Sequence, residues 1–187
     1  MRFYLLFGLF ALMAQGLQAH EFWISPDRYQ VAAGEPLNAH IRVGQSFKGG
    51  AMSYLEQRTA RFEIVQGGET LAHEAVVGDR PAFKRSLPKD GLAVLVHETT
   101  DSTLTYRDWQ KFVSFVEDKD FQGALTLHQA RELPETGFVE TYRRFAKSLV
   151  AVGDGMGTDQ AVGLDTEITA QKNPYTDDLS DGLPVRV

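Results

Sequence analysis

Apolar and polar residues alternate over residues 37–43, where Leu37, Ala39, Ile41 and Val43 are separated by Asn38, His40 and Arg42. A period of two marks a strand with one buried face. Ala33-Gly34-Glu35-Pro36 reads as a turn before it, and Gly49-Gly50 and Gly67-Gly68 punctuate the chain beyond it. Residues 61–66 and 71–77 flank the second glycine pair as the arms of a hairpin. Residues 91–97, GLAVLVH, are almost unbroken in apolar character, which predicts a central strand covered on both faces. Residues 22–99 therefore read as strands and turns, the pattern of a mainly β, Ig-like antiparallel β-sandwich.

The period then lengthens. Thr105-Tyr106-Arg107-Asp108 has the form of a capping box, and Trp109, Phe112, Val113 and Val116 come after it at helical spacing. Phe121, Ala124, Leu125 and His128 repeat that spacing, as do Tyr142, Phe145, Ala146 and Leu149. These predict three short helices inserted at about residues 105–149. Beyond Gly153 the chain turns extended again, with a returning strand expected over residues 161–170 and a turn at Asn173-Pro174-Tyr175. The Ig-like domain is thus expected over residues 20–172. Residues 173–187 read either as a strand closing the sandwich edge or as a linker and first strand of a second β-domain.

Residues 1–19 carry Arg2, an apolar run from Phe3 to Met13 and a polar stretch ending at Ala19. This is the layout of a secretory signal peptide, too short to anchor the chain in a bilayer. Export without a single cysteine points to a bacterial periplasm rather than an animal secretory route. The net charge of −6 excludes a basic nucleic-acid binder, and the missing cysteines exclude zinc ribbons and thiol catalysis.

Cleavage after Ala19 makes His20 the first residue, with an α-amine and an imidazole on the same residue. Those two nitrogens close a six-membered chelate ring on a metal, and one further imidazole would complete a three-nitrogen site suited to Cu(II) or Ni(II). Of the other histidines, His97 ends the most apolar strand and ranks first as the added ligand. His40, on the polar side of its strand, ranks second. His128 falls on a helix's apolar stripe and reads as a core histidine, and nothing is assigned to His73.

Other motifs carry less. Gly153-Asp154-Gly155-Met156-Gly157 lacks the lysine and the strand-loop-helix order of a phosphate loop and reads as a flexible connection. Arg143, Arg144 and Lys147 would form a basic helix face answering an acidic tail of seven acids against Lys172 and Arg186. No GxSxG elbow is present, and Asp177-Asp178 lies in a turn-rich stretch without the context for acid and base roles.

The start HEFWISPDRYQVAAGEPLNAHIRVGQSFKG, the runs DWQKFVSFVEDKDF and ETYRRFAKSLVAVGDG, and the segment GLDTEITAQKNPYTDDLSDGLPVRV together resemble a bacterial periplasmic family of unknown function. That family is often described as the periplasmic component of ABC-type cobalt or nickel uptake systems. The resemblance implies an Ig-like sandwich with a helical insert, followed by a second β-domain near the NPY and LPV motifs. It matches His20 to Trp23 to the family's start and Glu140, Tyr142, Arg144 and Lys147 to its third-helix pattern. The expectation is a non-enzymatic periplasmic protein that binds nickel or cobalt, with copper as a further candidate, and serves a membrane transporter. Two alternatives stand beside it: an Ig-like binding or structural module without metal, and a copper-dependent polysaccharide oxygenase.

Overall fold

A computed structural model describes residues 20–187, so the expected signal peptide lies outside the described residues. In chain order the strands are β1 (Glu21–Pro26), β2 (Gln30–Val31), β3 (Pro36–Gln45), β4 (Lys48–Met52), β5 (Thr59–Gln66), β6 (Glu69–Ala72), β7 (Phe83–Ser86) and β8 (Gly91–Thr99). Next come β9 (Ser102–Tyr106), helices α1 (Trp109–Asp118) and α2 (Ala124–Ala130), β10 (Phe138–Tyr142), β11 (Phe145–Val152), β12 (Thr169–Ala170) and β13 (Val185–Arg186). The chain divides into two compact units, residues 105–140 and residues 20–104 with 141–187.

The larger unit is the sandwich. In one sheet β3 pairs with β1 and with β4 and β7; the other runs β2-β11-β8-β5-β6. Pairing is antiparallel except between β2 and β11, which are parallel. Alternation in the sequence becomes geometry here. Leu37, Ala39 and Ile41 of β3, with Ile24 of β1, meet Ile64, Leu95 and Val150 of the second sheet in one core. The expected hairpin forms as β5 and β6, with Val65 opposite Thr70. Its neighbour β8 is the central strand, buried from Leu92 through Glu98.

Two expectations need correction. The third helix does not form: Tyr142 lies on β10, and Phe145, Ala146 and Leu149 lie on β11. A strand covered on both faces shows apolar residues at either parity and so can match the helical spacing by coincidence. Ala146, Ser148 and Val150 take the inner face, whereas Phe145, Lys147 and Leu149 meet residues 159–170 on the outer one. The returning strand shrinks to β12, because the segment before it is held by side chains instead of a ladder. Residues 173–187 belong to the sandwich unit, with β13 paired to β12 and Asn173 almost fully buried.

In the smaller unit, Asp108 rather than Thr105 caps α1, its carboxylate accepting from the Gln110 N–H at 3.0 Å. The rings of Tyr106, Phe112, His128 and Phe138 form its core, with centroids 4.5–5.4 Å apart. His128 is the core histidine its spacing predicted, with Nε2 3.0 Å from the Pro134 carbonyl. Burial and the Glu140 carboxylate push the Tyr106 hydroxyl well above the ordinary phenol range.

The β3–β4 hairpin turns through Ser46 and Phe47, both left-handed at φ 50° and 55°. Such turns favour Asn-Gly, because a side chain on a left-handed residue costs about 1–2 kcal/mol. Glu21 compensates: its two carboxylate oxygens accept the Ser46 and Phe47 N–H groups, each at 2.9 Å. Phe47 itself is 77% exposed, touching the edge of Trp23. Phe47→Gly is therefore expected to stabilise the fold by about 1 kcal/mol in denaturant titration. A loss instead would show that the Trp23 contact outweighs the backbone cost.

Candidate functional site

The three histidines proposed as ligands are not assembled into one group. His40 and His20 lie toward opposite ends of the β1–β3 ladder: Ser25 pairs with His40, five residues beyond His20, or about 16 Å along the strand. His40 also occupies the outer face, where its Nε2 sits 3.1 Å from Asp27. It leaves the candidate site for that reason. His97 is on the inner face of β8, and the Phe22 and Phe62 rings each lie 5.2 Å from its own. His20 precedes Phe22 by two residues, hence shares its side of β1, and is exposed at the same end of the sandwich as His97. Among the described residues no three His, Cys, Asp or Glu side chains form a metal-binding group.

That end of the sandwich is open. A cavity of about 110 Å³ lies between the sheets, with Phe22, Ile41 and Met52 on one side and Thr59, His97 and Arg144 on the other. The ladders explain this convergence: Thr99 of β8 pairs with Thr59 of β5, and its N–H donates to the Arg144 carbonyl at 3.0 Å. Three neighbouring segments thereby bring Thr59, Thr99 and Arg144 side by side. His97, two residues inward on β8, is behind them. Burial pushes the His97 imidazole down to about 4, so the ring is neutral at physiological pH.

Its tautomer is set by the hydroxyl next to it. Thr59 Oγ1 donates to the Leu55 carbonyl at 2.9 Å, so its 3.4 Å contact with His97 can only be accepted from the ring. Nε2 carries the proton, loosely held at that distance, and the buried Nδ1 has a lone pair with no hydrogen-bond partner.

The basic residues expected on one helix face are separated by the strand. Arg144 points inward, while Arg143 pairs outward with Asp101 at 2.8 Å and Glu98 at 3.1 Å. Lys147 is buried, 3.0 Å from Asp159 and 2.7 Å from Glu167. The acidic tail is answered as expected, but by a buried cluster instead of a solvated face. Glu167 also accepts the N–H groups of Val162, Gly163 and Leu164, tying residues 159–167 to β11. A larger cavity of about 460 Å³ adjoins this cluster between Trp23, Phe47 and Ile168. Lys147 spends its three donors on Asp159, Glu167 and the Gln160 carbonyl, so it offers a ligand nothing there. The 153–157 loop is likewise a pinned turn, its Gly155 and Gly157 carbonyls both accepting from the Asn173 amide.

Fold and site together define a β-sandwich domain with a helical insertion, an exposed histidine before its first strand and a donor-lined cavity at that end. The chain belongs to the DUF4198 family, a domain of unknown function, whose profile matches residues 17–187. No curated protein and no solved structure matches it. No helix among the described residues is long and apolar enough to cross a membrane.

The cavity beside Arg144, which Arg58 also lines, and the Lys147 cluster escaped sequence reasoning. Both draw on segments distant in the chain, and a helical assignment of residues 142–149 put Arg144 and Lys147 on one face when a strand puts them on two.

Proposed function

We propose that the chain is a periplasmic, non-enzymatic carrier of a divalent transition metal, nickel or cobalt ahead of copper. The metal is cargo, held by the α-amine and imidazole of His20 once residues 1–19 are removed. The observation that supports this reading is the position of His20, exposed directly ahead of β1 at the open end of the sandwich. Glu21 is fastened to the β3–β4 turn, so a terminus beginning at His20 presents both nitrogens from a fixed strand end. With His97 covered by Phe22, the protein supplies a two-nitrogen chelate, and the remaining coordination positions are open to water or a further ligand. An ion held in this way is exchangeable, as suits delivery to an ABC-type or other membrane transporter.

Titration with Ni(II), Co(II) and Cu(II) of protein beginning at His20, and of protein with one extra residue ahead of it, tests this reading. The extension turns the amine into an amide and is expected to weaken binding about a hundredfold by removing one of two linked donors. Equal affinity in the two forms refutes the amino-terminal chelate. A second reading, a binding module without metal, is favoured by the cavity beside His97.

A further inference from the structure

The cavity at the open end has a chemistry of its own, which stands without the metal reading. Its wall includes Arg58 and Arg144 and no acidic residue. Neither guanidinium has a carboxylate partner among the described residues; Arg144 lies over the Tyr142 ring, 5.1 Å from its centroid. The contrast with Arg143, which has two close carboxylates, shows that acids are available one position away and are kept off this side.

The hydrogen-bonding groups have the same sense. Thr99 Oγ1 accepts the Arg144 N–H at 3.0 Å, which leaves its own proton free to donate. Two guanidiniums and the Thr99 hydroxyl proton are donors, the Ser53, Ser102 and Tyr142 hydroxyls of the same lining can donate as well, and the set matches a carboxylate. The opposite wall, with Phe22, Ile41 and Met52, has no charged side chain to match a second charged group, and Ser53 beside Met52 adds only a hydroxyl. Inorganic phosphate would use the donors and leave that wall idle. At about 110 Å³ the cavity is somewhat smaller than the roughly 150 Å³ in which an apolar cavity holds benzene, which favours a small occupant, a carboxyl group with a short hydrocarbon tail.

We propose that the open end of the sandwich binds a short-chain organic carboxylate, its head between Arg144 and Arg58 and its hydrocarbon tail against Phe22, Ile41 and Met52.

The test is calorimetric titration of metal-free mature protein with butanoate, butanamide and inorganic phosphate, repeated on the Arg144→Gln, Arg58→Gln and His20→Ala variants. Butanoate is expected to saturate one site. Butanamide, and butanoate on Arg144→Gln, are expected to bind about tenfold or more weakly, the loss of one charge-assisted interaction. Phosphate should bind more weakly than butanoate, and His20→Ala should leave butanoate affinity unchanged, which separates this site from the metal chelate. The proposal is overturned if butanoate does not saturate, if butanamide equals it, or if phosphate binds as tightly. It is also overturned if a folded Arg144→Gln variant retains full affinity. Should that variant fail to fold, the exposed Arg58→Gln decides, since unchanged affinity there removes the second contact with the head group.

Discussion

Lys147→Met is expected to destabilise the sandwich by about 3–5 kcal/mol, the cost of breaking a buried ion pair from one side. The side chains of Lys147, Asp159 and Glu167 are only 9%, 2% and 9% exposed. Removing Lys147 leaves two little-exposed carboxylates without the cation they share, at the edge of the larger cavity. Neither can turn outward, since Asp159 also accepts the Ala170 N–H at 2.8 Å and Glu167 accepts three loop N–H groups. Burial pushes Glu167 up, but Lys147 and the Val162 and Leu164 N–H groups outweigh it and hold its carboxyl below the ordinary value. Glu167 therefore adds stability that is complete above its unfolded value near 4.5 and is lost as pH falls through the lower folded value. Urea titration of wild type and variant at neutral pH measures the effect. A loss under about 1 kcal/mol, typical of an exposed pair, would show that solvent screens the cluster.

Acidification from pH 6.5 to 4 is expected to remove about 3 kcal/mol of stability through His97 alone. In the unfolded chain this imidazole takes up a proton near 6.5, and in the fold only near 4, because it is buried between Phe22 and Phe62. Between those values the unfolded state binds a proton that the native state refuses, so falling pH favours unfolding. Stability from this source is complete above 6.5 and fully lost below about 4. His73 is lowered too, chiefly by burial, and adds to the slope in the same direction. His97→Leu should accordingly flatten the dependence of unfolding free energy on pH without abolishing it, as read from denaturant titrations across this range. Wild type and variant with the same slope would place His97 in contact with water.

Legibility tracked the range over which each signal acts. The strand with Leu37, Ala39 and Ile41 was readable because one face of it is buried and the other is not, which writes a period of two into the chain. The β5–β6 hairpin was readable from its glycine pair, and α1 from an apolar stripe on an otherwise polar helix. The segment holding β11 misled for a physical reason: both its faces are covered, so burial no longer alternates enough to distinguish a strand from a helix.

By itself, then, the sequence determined the mainly β class and where the helical insertion begins, since each rests on local periodicity. Tertiary structure alone decided which polar groups meet. Strand register carried His40 to the far end of the ladder, set His97 behind Thr59, split Arg144 from Arg143 and Lys147, and brought Asp159 and Glu167 onto a lysine up to 20 residues away. A one-residue change of register inverts every such assignment, because neighbouring side chains on a strand point to opposite faces.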